Sequence, residues 1–359
     1  ESLPCEPPCS EPGEPVTEEN MALSLRVVRG QDWRWGEEDG GAGYVGLVLS
    51  FDLKRHTCQV LWEKSCQAYS HYRFGTSHNK GSELALFQVD HPQLGRRSSQ
   101  EFYAEKFQTM IVLDWDDTLF PTSYLRDELR LSWLKSWQDQ NLAPKQKEEV
   151  ASRLAICQTK VVDLLTQATR AGKVVLVTLA RKPWVADSCR NFFPAVGQAI
   201  AELEVPIIYA QEGVSIDYNK MCSNTELERF WSGVKAKAIA RECKSFYSQY
   251  DGQSWKNVLS IGDSDFERIG TMLATKDYME QTGIETSPSG QAVVDDHVYK
   301  VRTKTLKMVD QPSIEELSTQ LGLLRTWLPN MIKLDSDFDL NLNAADPNAL
   351  RRMAAVLRG

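Results

Sequence analysis

The chain has 359 residues, 42% hydrophobic and 25% charged, enough for two or three domains that each bury a core. Its 41 basic and 49 acidic residues leave a net charge of −8 and no basic stripe, so the electrostatic footprint of a nucleic-acid binder is absent. No run of about 18 apolar residues occurs, which excludes a hydrophobic membrane span.

The chain opens without Met and without a signal-peptide pattern, so it reads as a fragment or a processed product. Its eight cysteines, at positions 5, 9, 58, 66, 157, 189, 222 and 243, form no CxxC pair and lie at no zinc-finger spacing from His. Reduced thiols in an intracellular, cytoplasmic protein are expected. The first twenty residues hold five prolines and six acidic residues with no base; residues 1–21 are predicted to be disordered, because such a stretch buries too little apolar area to offset its ordering. Residues 22–89 carry strand-like runs (ALSLRVV, YVGLVLSF, TCQVLWE) between Gly-rich or polar turns, and read as a small all-β unit. A polar stretch, 90–106, reads as a linker ending in a short helix.

From 107 the pattern alternates. Buried strands are predicted at Thr109–Leu113, Lys173–Thr178, Val205–Tyr209 and Asn257–Ile261, with a more polar one near Tyr299–Val309. Helices are predicted at 125–138, 146–171, 184–203, 225–250 and 313–328. Short apolar strands alternating with helices imply an α/β fold, a doubly wound parallel sheet covered on both faces, over 107–328. Ligands then bind at the carboxyl ends of the strands. Residues 329–359 read as a solvated tail with the acidic run DSDFDL and a short helix opened by Asp346 and Pro347; the run lacks the Gly and closing Glu of a calcium loop.

At the end of the first strand stand three carboxylates, Asp114, Asp116 and Asp117, in Asp114-Trp-Asp116-Asp-Thr118. Repulsion among them is costly unless something compensates it. Further on, Val174-Val-Leu-Val-Thr178 ends in a hydroxyl, Lys235 lies on a helix in Ser232-Gly-Val-Lys-Ala-Lys237, and a strand runs into Gly262-Asp263-Ser-Asp-Phe-Glu267. In this order the four segments resemble the motifs of the haloacid dehalogenase-like (HAD) phosphohydrolases. The resemblance implies a Mg²⁺ ion held by Asp114, Asp263 and the backbone carbonyl of Asp116, with Glu267 and a candidate Asp265 around it. It implies Asp114 as nucleophile, Asp116 as acid and base, and Thr178 and Lys235 as holders of the phosphoryl oxygens. Lys237 competes with Lys235 for the last role. Asp117 either contacts substrate or caps its turn, and Leu179-Ala180 departs from the Asn common there in relatives. The intervals between motifs leave room only for a minimal cap, so the expected phosphorylated substrate is a phosphoprotein or another bulky phosphoester.

In the first unit, Arg29-Gly30, Asp32-Trp-Arg-Trp-Gly36, Asp39-Gly-Gly41, Gly46, Val60-Leu-Trp62, Tyr72-Arg-Phe-Gly75 and Glu83-Leu84 resemble the MIB/HERC domain of mind-bomb-type ubiquitin ligases. That resemblance implies an SH3-like barrel recruiting a protein or peptide partner, with Trp62 and Tyr72 as core, Trp33 and Trp35 as either core or groove, and Arg73 in the groove. No RING-type Cys/His array accompanies it. Two functions follow: a Mg²⁺-dependent phosphatase fused to a recruiting domain, or a non-catalytic adaptor of the ubiquitin pathway.

Overall fold

The computed structural model describes residues 12–22, 25–41, 44–62, 64–65, 67–76, 81–87, 100, 102–214, 223–249, 253–281, 292–294 and 297–344. They form two compact units, Glu1–Glu101 with Ser248–Gln253, and Phe102–Tyr247 with Ser254–Gly359. The architecture is mixed α/β: an antiparallel sheet in the first unit, a parallel sheet with helices in the second.

The first unit contains β1 (Pro12–Pro15), β2 (Arg26–Arg29), β3 (Gly46–Asp52), β4 (Thr57–Trp62), β5 (Gln67–Arg73) and β6 (Leu84–Phe87), in the order β1-β6-β2-β3-β4-β5. The sheet curls until its ends meet: Val16 O accepts from Gly75 N at 2.8 Å and Gly75 O accepts from Glu18 N at 3.0 Å. Period-two alternation on β4 turns Cys58, Val60 and Trp62 inward, where they pack with Val27, Val48, Tyr72 and Leu84. A Cβ on Gly46 would sit 2.4 Å from a Val60 methyl and 2.7 Å from the Trp62 ring, so only glycine lets that ring lie against β3. The disorder expected through residue 21 does not extend that far. β1 pairs with β6, and Val16 is fully buried. A backbone ladder needs no apolar side chains, which is why composition concealed it. Residues 1–11 and most of the linker lie outside the described residues.

In the second unit the chain order is β7 (Thr109–Leu113), α1 (Pro144–Ala171), β8 (Lys173–Thr178), α2 (Trp184–Phe192), α3 (Pro194–Glu202), β9 (Ile207–Tyr209), α4 (Asn224–Phe246), β10 (Asn257–Gly262), α5 (Asp265–Gln281), β11 (Ala292–Val294), β12 (His297–Tyr299), β13 (Arg302–Lys307), α6 (Ile314–Lys333) and β14 (Phe338–Asn341). β11 and β12 form a separate two-stranded ribbon. The main sheet runs β14-β13-β10-β7-β8-β9, with every neighbouring pair parallel. β7 is buried at every residue: Ile111 and Leu113 face α1, α2, α3 and α6, while Met110 and Val112 face α4 and α5. From β7 the chain moves outward through β8 and β9, and from β10 outward the other way. The order therefore reverses between β7 and β10, the switch point at which open α/β sheets bind ligands.

Three predicted elements differ. The helix expected at 125–138 is an irregular segment with one wide turn at Tyr124–Glu128 and a short 3₁₀ turn at Trp137–Asp139. Gln140 holds it open, accepting from Ser132 N at 2.9 Å and donating to the carbonyls of Ser132 and Lys135. The helix expected at 184–203 is two helices, divided where Pro194 cannot continue the ladder. The tail expected to be solvated from 329 instead extends α6 to Lys333 and adds β14 to the sheet edge. β14 continues the direction of travel of β13, yet α6 lies on the face opposite α5. The two crossovers therefore have opposite hands, and the last departs from the strong right-handed rule. The helix expected near Asp346 lies outside the described residues.

Candidate metal and phosphoester site

Asp114 follows the last residue of β7, and its N–H donates to Ile261 O at 3.0 Å, tying it to the end of β10. α4 crosses the same face and delivers Lys235, 1% exposed, whose Nζ lies 2.5 Å from Asp114 Oδ1, 2.5 Å from Glu267 Oε1 and 2.6 Å from Val177 O. Glu267 occupies the first turn of α5, where a helical side chain leans back toward the N-terminus. Its second oxygen accepts from Ser264 N at 3.2 Å and from the Ser264 hydroxyl. Two glycines permit this approach. A Cβ on Gly262 would lie 2.5 Å from Glu267 Cγ, and one on Gly270 would lie 3.0 Å from Lys235 Cβ.

Carboxylate oxygens of Asp114, Asp263 and Glu267 come within 4.8 Å of one another. Burial pushes Asp114 well above the ordinary carboxylate range, and Glu267, Asp263 and Asp116 push it further against the pull of Lys235. Burial, with Glu267 and Asp117 nearby, raises Asp263 to about 8. Burial also opposes the charge on Lys235, but Asp114 and Glu267 outweigh it and hold the ammonium above its usual range. One ammonium faces three carboxylates. The donor set is all oxygen and two negative charges in excess, which fits a hard divalent cation such as Mg²⁺.

Asp116 stands beside this cluster and is fixed from three directions. Its Oδ1 accepts from Thr122 Oγ1 at 2.6 Å and from Trp184 Nε1 at 2.7 Å, and its Oδ2 accepts from Thr178 Oγ1 at 3.2 Å. Thr178, fully buried at the end of β8, also accepts from Ala180 N at 2.9 Å. The six residues singled out in the sequence thus gather at the carboxyl ends of β7, β8 and β10. Lys237 is exposed, so the buried lysine is Lys235. Asp265 turns away to Arg268 at 3.1 Å and Lys307 at 3.0 Å. Asp117 adopts a left-handed φ of 52° and accepts from Ser123 N at 2.9 Å, capping the following turn. Sequence reasoning missed Thr122, Trp184 and Ser264, since a single hydroxyl or indole carries no spacing signal of its own.

In the first unit, Asp39 is fully buried and accepts from Arg29 Nε and Nη2 on its two oxygens, while also accepting from Gly41 N at 3.0 Å. Trp62 Nε1 donates to the Tyr72 hydroxyl at 2.8 Å, and both rings are fully buried. Trp33 stacks on Tyr72 at 5.3 Å and Trp35 donates to Glu83 at 2.9 Å; both are half-buried, at once core support and partial surface. Arg73 is exposed.

No helix among the described residues is long and apolar enough to cross a membrane. Comparison with known proteins finds matches in the first unit. The E3 ubiquitin-protein ligase mind-bomb of Drosophila melanogaster is 39% identical over 46 residues, 13% of this chain and 4% of that protein. The E3 ubiquitin-protein ligase MIB2 of Gallus gallus is 33% identical over 84 residues, 22% of this chain and 8% of that protein. The chain thus spans less than a tenth of either relative. Residues 24–86 match the Mib_herc2 family model, and this part of the chain is a Mib_herc2 domain.

Proposed function

We propose that the second unit is a HAD-like, Mg²⁺-dependent phosphatase and that the Mib_herc2 domain, as an SH3-like barrel, recruits its partner. One observation carries the reading: Asp114, Asp263 and Glu267 converge within 4.8 Å around a single buried lysine at the switch point of the sheet. Asp114, Asp263 and Glu267 would hold the ion, which when bound supplies charge to offset the carboxylates and to draw in an anionic phosphoester. Asp114 Oδ1 is engaged by Lys235, leaving the other oxygen to attack phosphorus in line and form an aspartyl-phosphate. Asp116 gives a proton to the leaving oxygen and takes one from the water that later releases phosphate. Lys235 and the Thr178 hydroxyl stand where phosphoryl charge grows. Between β7 and α1 the chain forms an irregular segment whose Leu119, Phe120, Leu125 and Leu131 are spent in the core, and this favours an open site taking a phosphoprotein over small sugar phosphates.

The decisive measurement is phosphate release from a panel of phosphopeptides and sugar phosphates, with and without Mg²⁺, for wild type and Asp114→Asn. Mg²⁺-dependent release lost in the variant is expected; equal release from both proteins overturns the reading. A second reading, an adaptor of the ubiquitin pathway without catalysis, is favoured by the Mib_herc2 match. It predicts no phosphate release by wild type together with capture of ubiquitin-pathway proteins by the full chain and by Asp114→Asn alike.

A further inference from the structure

We propose that Arg181 and Lys182 select phosphoproteins whose phosphorylated side chain is flanked by acidic residues; the proposal rests on the phosphatase reading above and narrows its substrate class. The two cations sit in the short loop 179–183 that joins β8 to α2. Both ends of this loop are tied to one carboxylate: Thr178 Oγ1 donates to Asp116 Oδ2 at 3.2 Å, and Trp184 Nε1 donates to Oδ1 at 2.7 Å. Within the loop, Ala180 N donates to Thr178 Oγ1 at 2.9 Å and Trp184 N donates to Arg181 O at 2.9 Å. Gln211 Nε2 also donates to Leu179 O. Neither cation is more than three residues from an anchored end, a span of at most about 11 Å. That span equals the reach of about three residues of an extended peptide lying across the site.

The charge on this loop is unspent. Arg181 and Lys182 are exposed, and neither forms an ion pair among the described residues. Asp187, the acidic residue of α2, bonds Arg190 at 2.8 Å instead. On the segment after β7, by contrast, Arg126 is clamped by Asp127 through Nε and Nη2, both at 2.8 Å. Two adjacent like charges in water give the fold no bond, so local stability does not account for them. The chain has a net charge of −8 and the strand-end cluster is itself negative, so an acidic peptide is repelled over much of its approach. Two free cations on a fixed loop reverse that sign beside Asp116, and complementary charge of this kind gives specificity. Carboxylates tethered to the phosphoryl group through the peptide arrive at high effective concentration. Exposed cations that hold a free ion only weakly therefore discriminate between peptides.

Paired phosphoserine peptides test this, identical except for Glu or Gln at the flanking positions. For wild type with Mg²⁺, kcat/KM is expected to be about 10-fold higher for the Glu peptide, the scale of two exposed ion pairs. The ratio is expected to fall to parity in the double variant Arg181→Gln, Lys182→Gln and to invert in Arg181→Glu, Lys182→Glu. For wild type it should also shrink at an ionic strength of about 1 M, where the screening length is about 3 Å. A readout free of turnover is the ratio of the two peptides' Kd values for Asp114→Asn, with and without the two Gln substitutions. Parity in wild type, a ratio that survives the Gln substitutions, or release from p-nitrophenyl phosphate but from neither peptide overturns the selection while leaving the phosphatase standing. Absence of Mg²⁺-dependent release from all three substrates overturns the two together.

Discussion

Two acidic clusters in the second unit have almost the same composition and opposite electrostatics. In the tail run 335–339, Asp335 meets Lys300 at 2.8 Å and Arg302 at 2.7 Å, Asp337 accepts from Thr303 N at 2.9 Å, and Asp339 meets Arg268 at 2.6 Å. The Lys300 and Arg302 bonds outweigh burial to hold Asp335 below the usual carboxylate range, and the Arg268 bond does the same for Asp339. At the strand ends, Asp114 and Asp263 are pushed upward and share one lysine with Glu267. The tail cluster is balanced charge that pins β14 to the sheet. The strand-end cluster is unbalanced charge, which folding alone gives no reason to assemble, and such imbalance at the switch point of a parallel sheet points to chemistry.

The sharpest way to break this comparison is Asp114→Asn. Phosphate release is expected to fall by at least about 10³-fold, the scale on which loss of a covalent nucleophile is felt. The melting temperature should hold or rise, because one of three crowded carboxylates has been neutralised. A fall in both would move the strand-end cluster into the class of the tail. Lys235→Met asks the converse. Removing the one cation from beside two buried carboxylates is expected to cost about 3–5 kcal/mol, measured by urea unfolding in chelator, with much of the loss recovered on adding Mg²⁺. An unchanged unfolding midpoint in chelator would mean that the carboxylates carry no net charge without the lysine.

Acid should drive the two clusters in opposite directions. Asp263 titrates near 8 in the fold against 3.8 ordinarily, so its protonation stabilises the metal-free protein at low pH, and that contribution disappears as pH rises from about 4 to about 8. Asp335 and Asp339, lowered in the fold, contribute above the ordinary carboxylate value and lose that contribution as pH falls below it. In chelator, the melting temperature should therefore climb from pH 8 toward pH 5 and drop again near pH 3. Because the ion competes with protons for the same oxygens, Mg²⁺ should stabilise more at pH 8, where a hundredfold excess over Kd contributes about 2.7 kcal/mol, than at pH 5. An equal shift in melting temperature at both pH values would place the ion elsewhere.

Much of the strand-end cluster was legible because each ligand sits one or a few residues beyond a buried strand, and a run such as Ile111-Val-Leu113 announces both the strand and its end. β7 and β8 fall on their predicted bounds, and α1 begins two residues early at Pro144. The balanced cluster was illegible for the reason that makes it structural. Its partners Arg268, Lys300 and Arg302 are scattered along the chain, so only the folded sheet brings opposite charges together. β14 itself is polar at Asp339 and Asn341, and its inward residues Phe338 and Leu340 are too few to establish a period. The segment 125–138 misled in the other direction: its leucines and tryptophans suggest a helical stripe, but Trp133 and Trp137 pack on Phe120 and Phe192 in an aromatic cluster that overrides local preference, and Leu134 is left exposed.

The smallest expected effect draws the comparison most finely. Asp339→Asn deletes one charge from the tail cluster, where the partner guanidinium contacts both carboxylate oxygens and Thr305 donates a further bond at 2.7 Å. Both charged side chains remain partly in water, at 29% and 36% exposed, so solvent screens the pair and the cost is expected to be only about 0.2–1 kcal/mol. Phosphate release should be unchanged, since Arg268 still has Asp265 and neither touches the strand-end oxygens. The acid limb near pH 3 should shrink while the rise from pH 8 to pH 5 stays as it was. A variant that lost activity while keeping its melting temperature would mean that Arg268 transmits charge to Glu267, its neighbour on α5, and that the two acidic clusters work as one.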